Sequence, residues 1–255
     1  MKKGARYLLN DRIPMRESVF FYISMAAVAI ITVYPMFNTG LACGDDMASY
    51  IITRLGKVFS EAKQLAEIHG RVQYFIVVPV QCLPFIWDDM FAVKLFQILP
   101  VFLSLFLFYR IVLGFTKSRE LSAFFVLLFL VTAQVSQHTS LFATYPFVFT
   151  FSFSVLLVAF LLILHFQEVR RYRVLILSAF LFAVGVLFYE VYLLFFLFTV
   201  LSLAFGNARA GIRGKAWVRA TIHQSLPFLA VVILYLVIYA WYSHLHPPHY
   251  DGRKI

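Results

Sequence analysis

Charged residues are scarce in this chain, at 13% of 255 positions, and acids are scarcer still, with twelve Asp and Glu against 22 Lys and Arg. A soluble domain carries about a quarter charged residues, so this shortage, with 62% hydrophobic residues and a mean hydropathy of +0.84, excludes an ordinary water-soluble globule. Cysteine is nearly absent: Cys43 and Cys82 have no metal-ligand spacing, and a disulfide between them fits only if their shared loop faces an oxidising compartment. Also missing are a Walker loop, a nucleotide fingerprint, a Gly-x-Ser-x-Gly elbow and a His-Glu-x-x-His helix. The residues of the common soluble-enzyme chemistries are therefore not there.

What is present is a series of apolar runs, at residues 18–37, 72–87, 91–114, 121–136, 141–165, 174–205 and 223–243. Thirty Phe and fourteen Tyr suit a lipid-facing surface with aromatic anchors at its interfaces,. Residues 1–17 carry five basic side chains and two acids ahead of a run as long as a full bilayer span. The expectation is an uncleaved first helix with its N-terminus in the cytoplasm. The net charge of +10 lies in short clusters between the runs. That is the distribution the positive-inside rule produces, and it speaks against a nucleic-acid partner.

Those clusters set the count of crossings. Arg110, Lys117 and Arg119, then Arg170, Arg171 and Arg173, then Arg209, Arg213, Lys215 and Arg219 join the leader to put fifteen of 22 basic residues on one side. This works only if residues 72–87 do not cross. That run is about 24 Å long at 1.5 Å per residue, against a core of about 30 Å, and is broken by Pro79 and Pro84,. An outer loop over 38–90 follows. Within it Ile51, Leu55, Val58, Ala62 and Leu65 repeat at helical spacing and predict one amphipathic helix lying in the membrane surface. Residues 174–205 are too long for one span and read as a hairpin turning near Tyr189-Glu190. Residues 121–165 read as a second, with Gln137-His138-Thr139-Ser140 at its apex. The expected fold is an all-α polytopic bundle of about seven transmembrane helices, with residues 1–243 as one membrane-embedded module and 244–255 as the start of a further outer loop.

Few residues are left to carry chemistry. Asp45 and Asp46 open the amphipathic helix. Capping needs one carboxylate. Two adjacent acids repel, which raises one pKa toward the range of a general base. Glu190 is the only acid between Glu168 and Asp251, and an ionisable group inside an apolar hairpin costs about 2.5 kcal/mol or more unless it meets water, a cation or a partner. His69-Gly70-Arg71 has the form of a helix C-cap, while the planar fork of Arg71 is also suited to a phosphate. His138 is a lone apex histidine. His244, His246 and His249 match no compact metal site,.

Gly44-Asp45-Asp46 at the head of the first outer loop, the amphipathic helix, His69-Gly70-Arg71, a second interfacial segment and the Trp87-Asp88-Asp89 stretch leading toward Arg110 together resemble the GT-C superfamily of membrane glycosyltransferases. The likeness is to bacterial O-antigen glucosyltransferase-like and aminoarabinose-transferase-like members, and to their N-terminal seven-span module only. It implies an enzyme of the bacterial inner membrane that moves a sugar from a polyprenyl-phosphate donor to a hydroxyl of a lipid, glycan or protein acceptor at the outer face. Asp45 and Asp46 match the family's catalytic acids, and Arg71, His69, Glu190 and His138 are the substrate-binding candidates. The family's second outer acid has no counterpart near Thr144-Tyr145-Pro146, a place Glu190 is expected to fill. No cofactor is expected, and the residues leave a divalent metal requirement open. The alternative from another class is a non-catalytic lipid flippase or transporter.

The topology has a direct check. A thiol placed at Asp88→Cys should react with a membrane-impermeant reagent from the face opposite to one that labels Arg171→Cys or Arg213→Cys. Labelling of all three from one face would make residues 72–87 a crossing.

Overall fold

A computed structural model of the chain describes residues 44–133 and 146–247, with the isolated helical positions Ile23, Ala26 and Ile30. Every regular element among them is helical. The elements are α1 (Gly44–Arg54), α2 (Val58–His69), α3 (Tyr74–Cys82) with a 3-10 turn (Leu83–Ile86), α4 (Met90–Thr116) and α5 (Arg119–Ala133). After the undescribed apex come α6 (Pro146–Val169), α7 (Tyr172–Phe188), a 3-10 turn (Glu190–Leu194), α8 (Phe195–Arg209) and α9 (Gly214–Leu245).

Four segments are long and apolar enough to cross a bilayer: Met90–Thr116, Phe147–Val169, Glu190–Arg209 and Gly214–Leu245. Tyr172–Phe188, with 17 residues, reaches about 26 Å at 1.5 Å per residue and falls below that length class. The chain is therefore an all-helical integral membrane protein with four long candidate spans.

Side-chain pairs give the helix directions. Phe96 stacks near Phe147 with ring centroids 5.0 Å apart, and Ser104 Oγ donates to the Thr150 carbonyl at 3.0 Å, so α4 and α6 run parallel. Ser178 Oγ donates to the Ala159 carbonyl at 2.7 Å while Phe188 meets Phe151, which makes α7 antiparallel to α6. Tyr192 donates to the Phe149 carbonyl at 3.2 Å, and Gln167 Nε2 donates to the Ser202 carbonyl at 2.8 Å. Hence α8 again runs with α6. Trp217 Nε1 donates to the Ala204 carbonyl at 2.7 Å, so α9 returns beside α8. The described helices from α6 to α9 therefore alternate in direction, and the core of Leu156, Ile163, Phe166, Leu175, Phe182, Leu203, Phe228 and Tyr235 is drawn from them.

This alternation gathers the basic turns at one end. Lys117 and Arg170 close α4 and α6 with positive φ of 56° and 53°, a left-handed C-cap of the kind usually given to glycine. Arg170 Nη1 donates to Asn207 Oδ1 at 2.8 Å, and the Asn207 amide donates to Thr221 Oγ1 and Gln224 Oε1 at 3.2 and 3.0 Å. In a medium without water such amides must find partners within the bundle, and here they tie three elements together.

The opposite end carries the 44–89 segment, and one expectation changes there. The single amphipathic helix is broken in two, because Gly56 takes a positive φ of 66° between Arg54 and Val58. Its apolar side packs under α3 through Ala62, Val78 and Cys82, with Leu65 and Tyr74 alongside. Cys82 is a free, buried thiol donating to the Ser49 carbonyl at 3.8 Å, and burial pushes its pKa up; Cys43, the other half of the disulfide considered above, lies outside the described residues. The 72–87 run forms α3 and its 3-10 turn, folded against this layer.

Helix packing at Gly185 makes a stability prediction. A Cβ there would lie 2.5 Å from Leu156 Cδ2 and 2.7 Å from its Cγ, whereas one at Gly114 would sit 3.7 Å from Leu164. Gly185→Val should therefore cost roughly 1–3 kcal/mol by overpacking, seen as a clearly lowered thermal midpoint in detergent, while Gly114→Ala stays close to the parent. Equal midpoints for all three proteins would refute the close α6–α7 approach.

Candidate functional site

The polar cluster at the outer-loop end is built from two distant parts of the chain. Gly70 ends α2 in the left-handed conformation, φ 62°, and its N–H and that of Arg71 both donate to the Ala66 carbonyl. This cap turns the chain back on itself and brings Arg71 and Gln73 to the bundle. From the other side, Tyr189 is extended (φ −155°, ψ 121°), which ends α7 and starts the 3-10 turn at Glu190. That turn is fastened to α6: Tyr189 packs edge-on against Phe149 at 5.0 Å, and Ser152 Oγ donates to the Tyr192 hydroxyl at 3.3 Å.

Glu190 receives both arms of the outer segment. Arg71 Nη1 lies 3.1 Å from Glu190 Oε1, and Gln73 Nε2 donates to Glu190 Oε2 at 2.6 Å across 117 positions of sequence. The side chains of Arg71 and Glu190 are 39% and 31% exposed, so the pair is screened and worth at most about 1 kcal/mol to stability. Its larger effect is positional, because a carboxylate engaged through both oxygens holds the guanidinium in place. Gln73 and Tyr235, by contrast, are buried. The Tyr235 hydroxyl lies beside Gln73, close enough to interact with it, and within electrostatic reach of Glu190 and Arg71; neither it nor Gln73 Oε1 has a partner within 3.5 Å among the described residues. Buried polar atoms of this kind complete their bonding with each other, with a water or with a ligand hydroxyl.

His69 belongs to the same corner. Its ring stacks on Tyr74 at 5.2 Å, and burial, then the Arg71 charge, hold its pKa below the ordinary 6.5. The neutral ring is the form that suits this site.

Of the sequence candidates, then, Arg71, His69 and Glu190 converge. Asp45 and Asp46 stand in the first turn of α1, which packs with α3 in the same layer, but their side chains lie outside the described residues, as does His138. Asp88 and Asp89 have local duties: Asp88 pairs with Arg54, and Asp89 caps α4 by accepting from the N–H groups of Phe91 and Ala92 at 3.2 and 3.1 Å. Four residues escaped the sequence reading: Gln73, Tyr235, and Lys94 with Gln97, which are 4% and 2% exposed near the start of α4. Lys94 had the same signal as Glu190, a lone ionisable group inside an apolar helix. Amides and a tyrosine in apolar runs carry no such mark.

The chain matches no protein-family model, no curated protein and no solved structure. Its class is that of an all-helical membrane protein, with basic turns at one end of the bundle and an Arg–Glu–Gln–Tyr cluster at the other.

The histidine gives a pH prediction. Because its folded pKa is depressed, the unfolded chain binds more protons as pH falls below 6.5, so His69 lowers stability through that window and has no effect well above it. Arg71→Gln removes the second cause of the depression. The His69 ring resonance in selectively labelled protein should then titrate closer to 6.5; an unchanged or lower midpoint would show that Arg71 does not act on it.

Proposed function

We propose that this chain is a GT-C-like membrane glycosyltransferase module of about seven spans, working at the face opposite its basic turns, with its N-terminus and those turns in the cytoplasm. The observation that carries the reading is the Arg71–Glu190–Gln73 contact. It is a phosphate-competent guanidinium held by a carboxylate, in the layer that also contains the helix opening with Gly44-Asp45-Asp46. The alternating helix directions support counting α5 and α7 as crossings, and residues 18–37 supply the first.

In this reading the acceptor hydroxyl attacks the anomeric carbon of a polyprenyl-phosphate sugar. Its proton passes to Asp45 or Asp46, the new glycosidic bond forms, and the bond from that carbon to the phosphate oxygen breaks. Arg71 spends one N–H on Glu190 and turns its remaining donors to the departing phosphate, where charge develops. Glu190 is a positioning residue for Arg71 rather than a partner of the acceptor. Gln73 Oε1 and the Tyr235 hydroxyl offer bonds to a sugar or acceptor hydroxyl. The flippase or transporter reading finds its support in the buried polar series Lys94, Gln97 and Ser104 along α4.

The test is transfer of labelled sugar from polyprenyl-phosphate donors by membranes containing the protein. One of Asp45→Asn and Asp46→Asn should reduce transfer by roughly a hundredfold or more at unchanged protein level, the other by less. Glu190→Gln should cost about tenfold to a hundredfold. Full activity in both Asp variants would place the base elsewhere. Lipid translocation in vesicles without any sugar transfer would favour the alternative.

A further inference from the structure

A second surface feature lies at the basic end of the bundle. The first turns of α9 form an open cavity of about 470 Å³ lined by Lys215, Val218, Arg219, Ile222, His223 and Leu226. All six side chains are exposed, while Thr221, Gln224, Ser225 and Phe228 on the other side of the helix are buried. Two stripes therefore run side by side on the surface facing away from the bundle. Lys215, Arg219 and His223 are spaced by four, and Val218, Ile222 and Leu226 repeat the spacing three residues later. At 1.5 Å per residue the apolar stripe is displaced about 4.5 Å along the helix, away from its N-terminus.

That offset has the polarity of a membrane lipid. α9 has 32 residues, about 48 Å, against a hydrocarbon core of about 30 Å. That excess is long enough for the first turns to stand at headgroup level with Leu226 toward the hydrocarbon core. The surface is also held rigidly. Trp217 Nε1 is bonded to the Ala204 carbonyl at 2.7 Å, and His223 Nδ1 meets the Tyr172 hydroxyl at 2.7 Å. With Tyr172 as the donor, Nε2–H is the donor left to a neutral ring. Arg171 and Arg173 flank Tyr172 at the same end, and no acid stands between Glu190 and Asp251 to offset these charges.

We propose that this surface binds an anionic phospholipid, its headgroup lying along the Lys215, Arg219 and His223 stripe and one acyl chain laid along Val218, Ile222 and Leu226. Charge complementarity selects the headgroup, and the offset stripe requires a chain attached to it. The site stands apart from the transferase reading, since it lies at the other end of the bundle.

Native mass spectrometry of the full chain in detergent, titrated with dioleoyl phosphatidylglycerol, dioleoyl phosphatidylcholine and inorganic phosphate, tests it. Phosphatidylglycerol should bind on the order of tenfold more tightly than phosphatidylcholine. The double variant K215Q/R219Q should lose roughly thirtyfold, about fivefold per charge, while R171Q/R173Q keeps most of the affinity. Ile222→Asn, with every charge intact, should weaken the same lipid. Equal affinity for the two lipids would overturn the proposal, as would equal loss in the two double variants, an unaffected Ile222→Asn, or full displacement by inorganic phosphate. These side chains are exposed, so the variants leave the core untouched. The parent protein offers an independent reading: phosphatidylglycerol retention should fall as salt is raised, and a salt-independent adduct would also overturn the site.

Discussion

Glu190 sits where the chain changes direction between two apolar helices, and it is there that the α1–α3 segment is joined to the bundle. Its two carboxylate oxygens are taken by Arg71 and Gln73, which lie on either side of Val72 in the turn that leaves α2. An acid in that position would be costly against lipid. An arginine and an amide bring it donors, and in doing so they set the position of α2 and α3 over the ends of α7 and α9. The contact is modest in energy and decisive in geometry, because partly exposed ion pairs contribute little to stability while a carboxylate gripped at both oxygens has few alternative orientations.

The two ends of the bundle solve the problem of polar groups in different ways. At the basic end Asn207, Gln167 and Trp217 donate to neighbouring helices, and Arg170 completes the amide of Asn207. Their bonding makes this end a structural clamp. At the other end Gln73 Oε1, Gln97 Oε1 and the Tyr235 hydroxyl are buried with no partner within 3.5 Å among the described residues. The polar atoms of one end are thus bonded between helices, whereas three at the other end have no such bond among the described residues,.

Much of the bundle was legible from elementary rules. The hairpin turning at Tyr189-Glu190 follows from run length and from the basic clusters on either side. The observed helices, Tyr172–Phe188 and Phe195–Arg209 around that turn, fall where those two constraints require. The surface helix was legible only in part. Its apolar spacing passes straight through Leu55-Gly56-Lys57, so periodicity reads one helix, whereas the positive φ of Gly56 divides it. The resulting corner lets the second half fold onto α3 and bury Ala62 against Val78 and Cys82.

What the amino-acid sequence determined by itself is what depends on bulk solvation: membrane class, the ends at which the charges collect, and the cost that marks Glu190. Each is a local transfer energy, readable from a window of residues. Only the tertiary structure decided which groups meet. That Arg71 reaches Glu190, that Gln73 and Tyr235 share its corner, and that Asp88 and Asp89 are occupied by Arg54 and the α4 amides are facts about pairs far apart in sequence or about competing local bonds. An apolar run states how strongly it avoids water but not which neighbour it packs against. The partners of its few polar atoms follow from that packing.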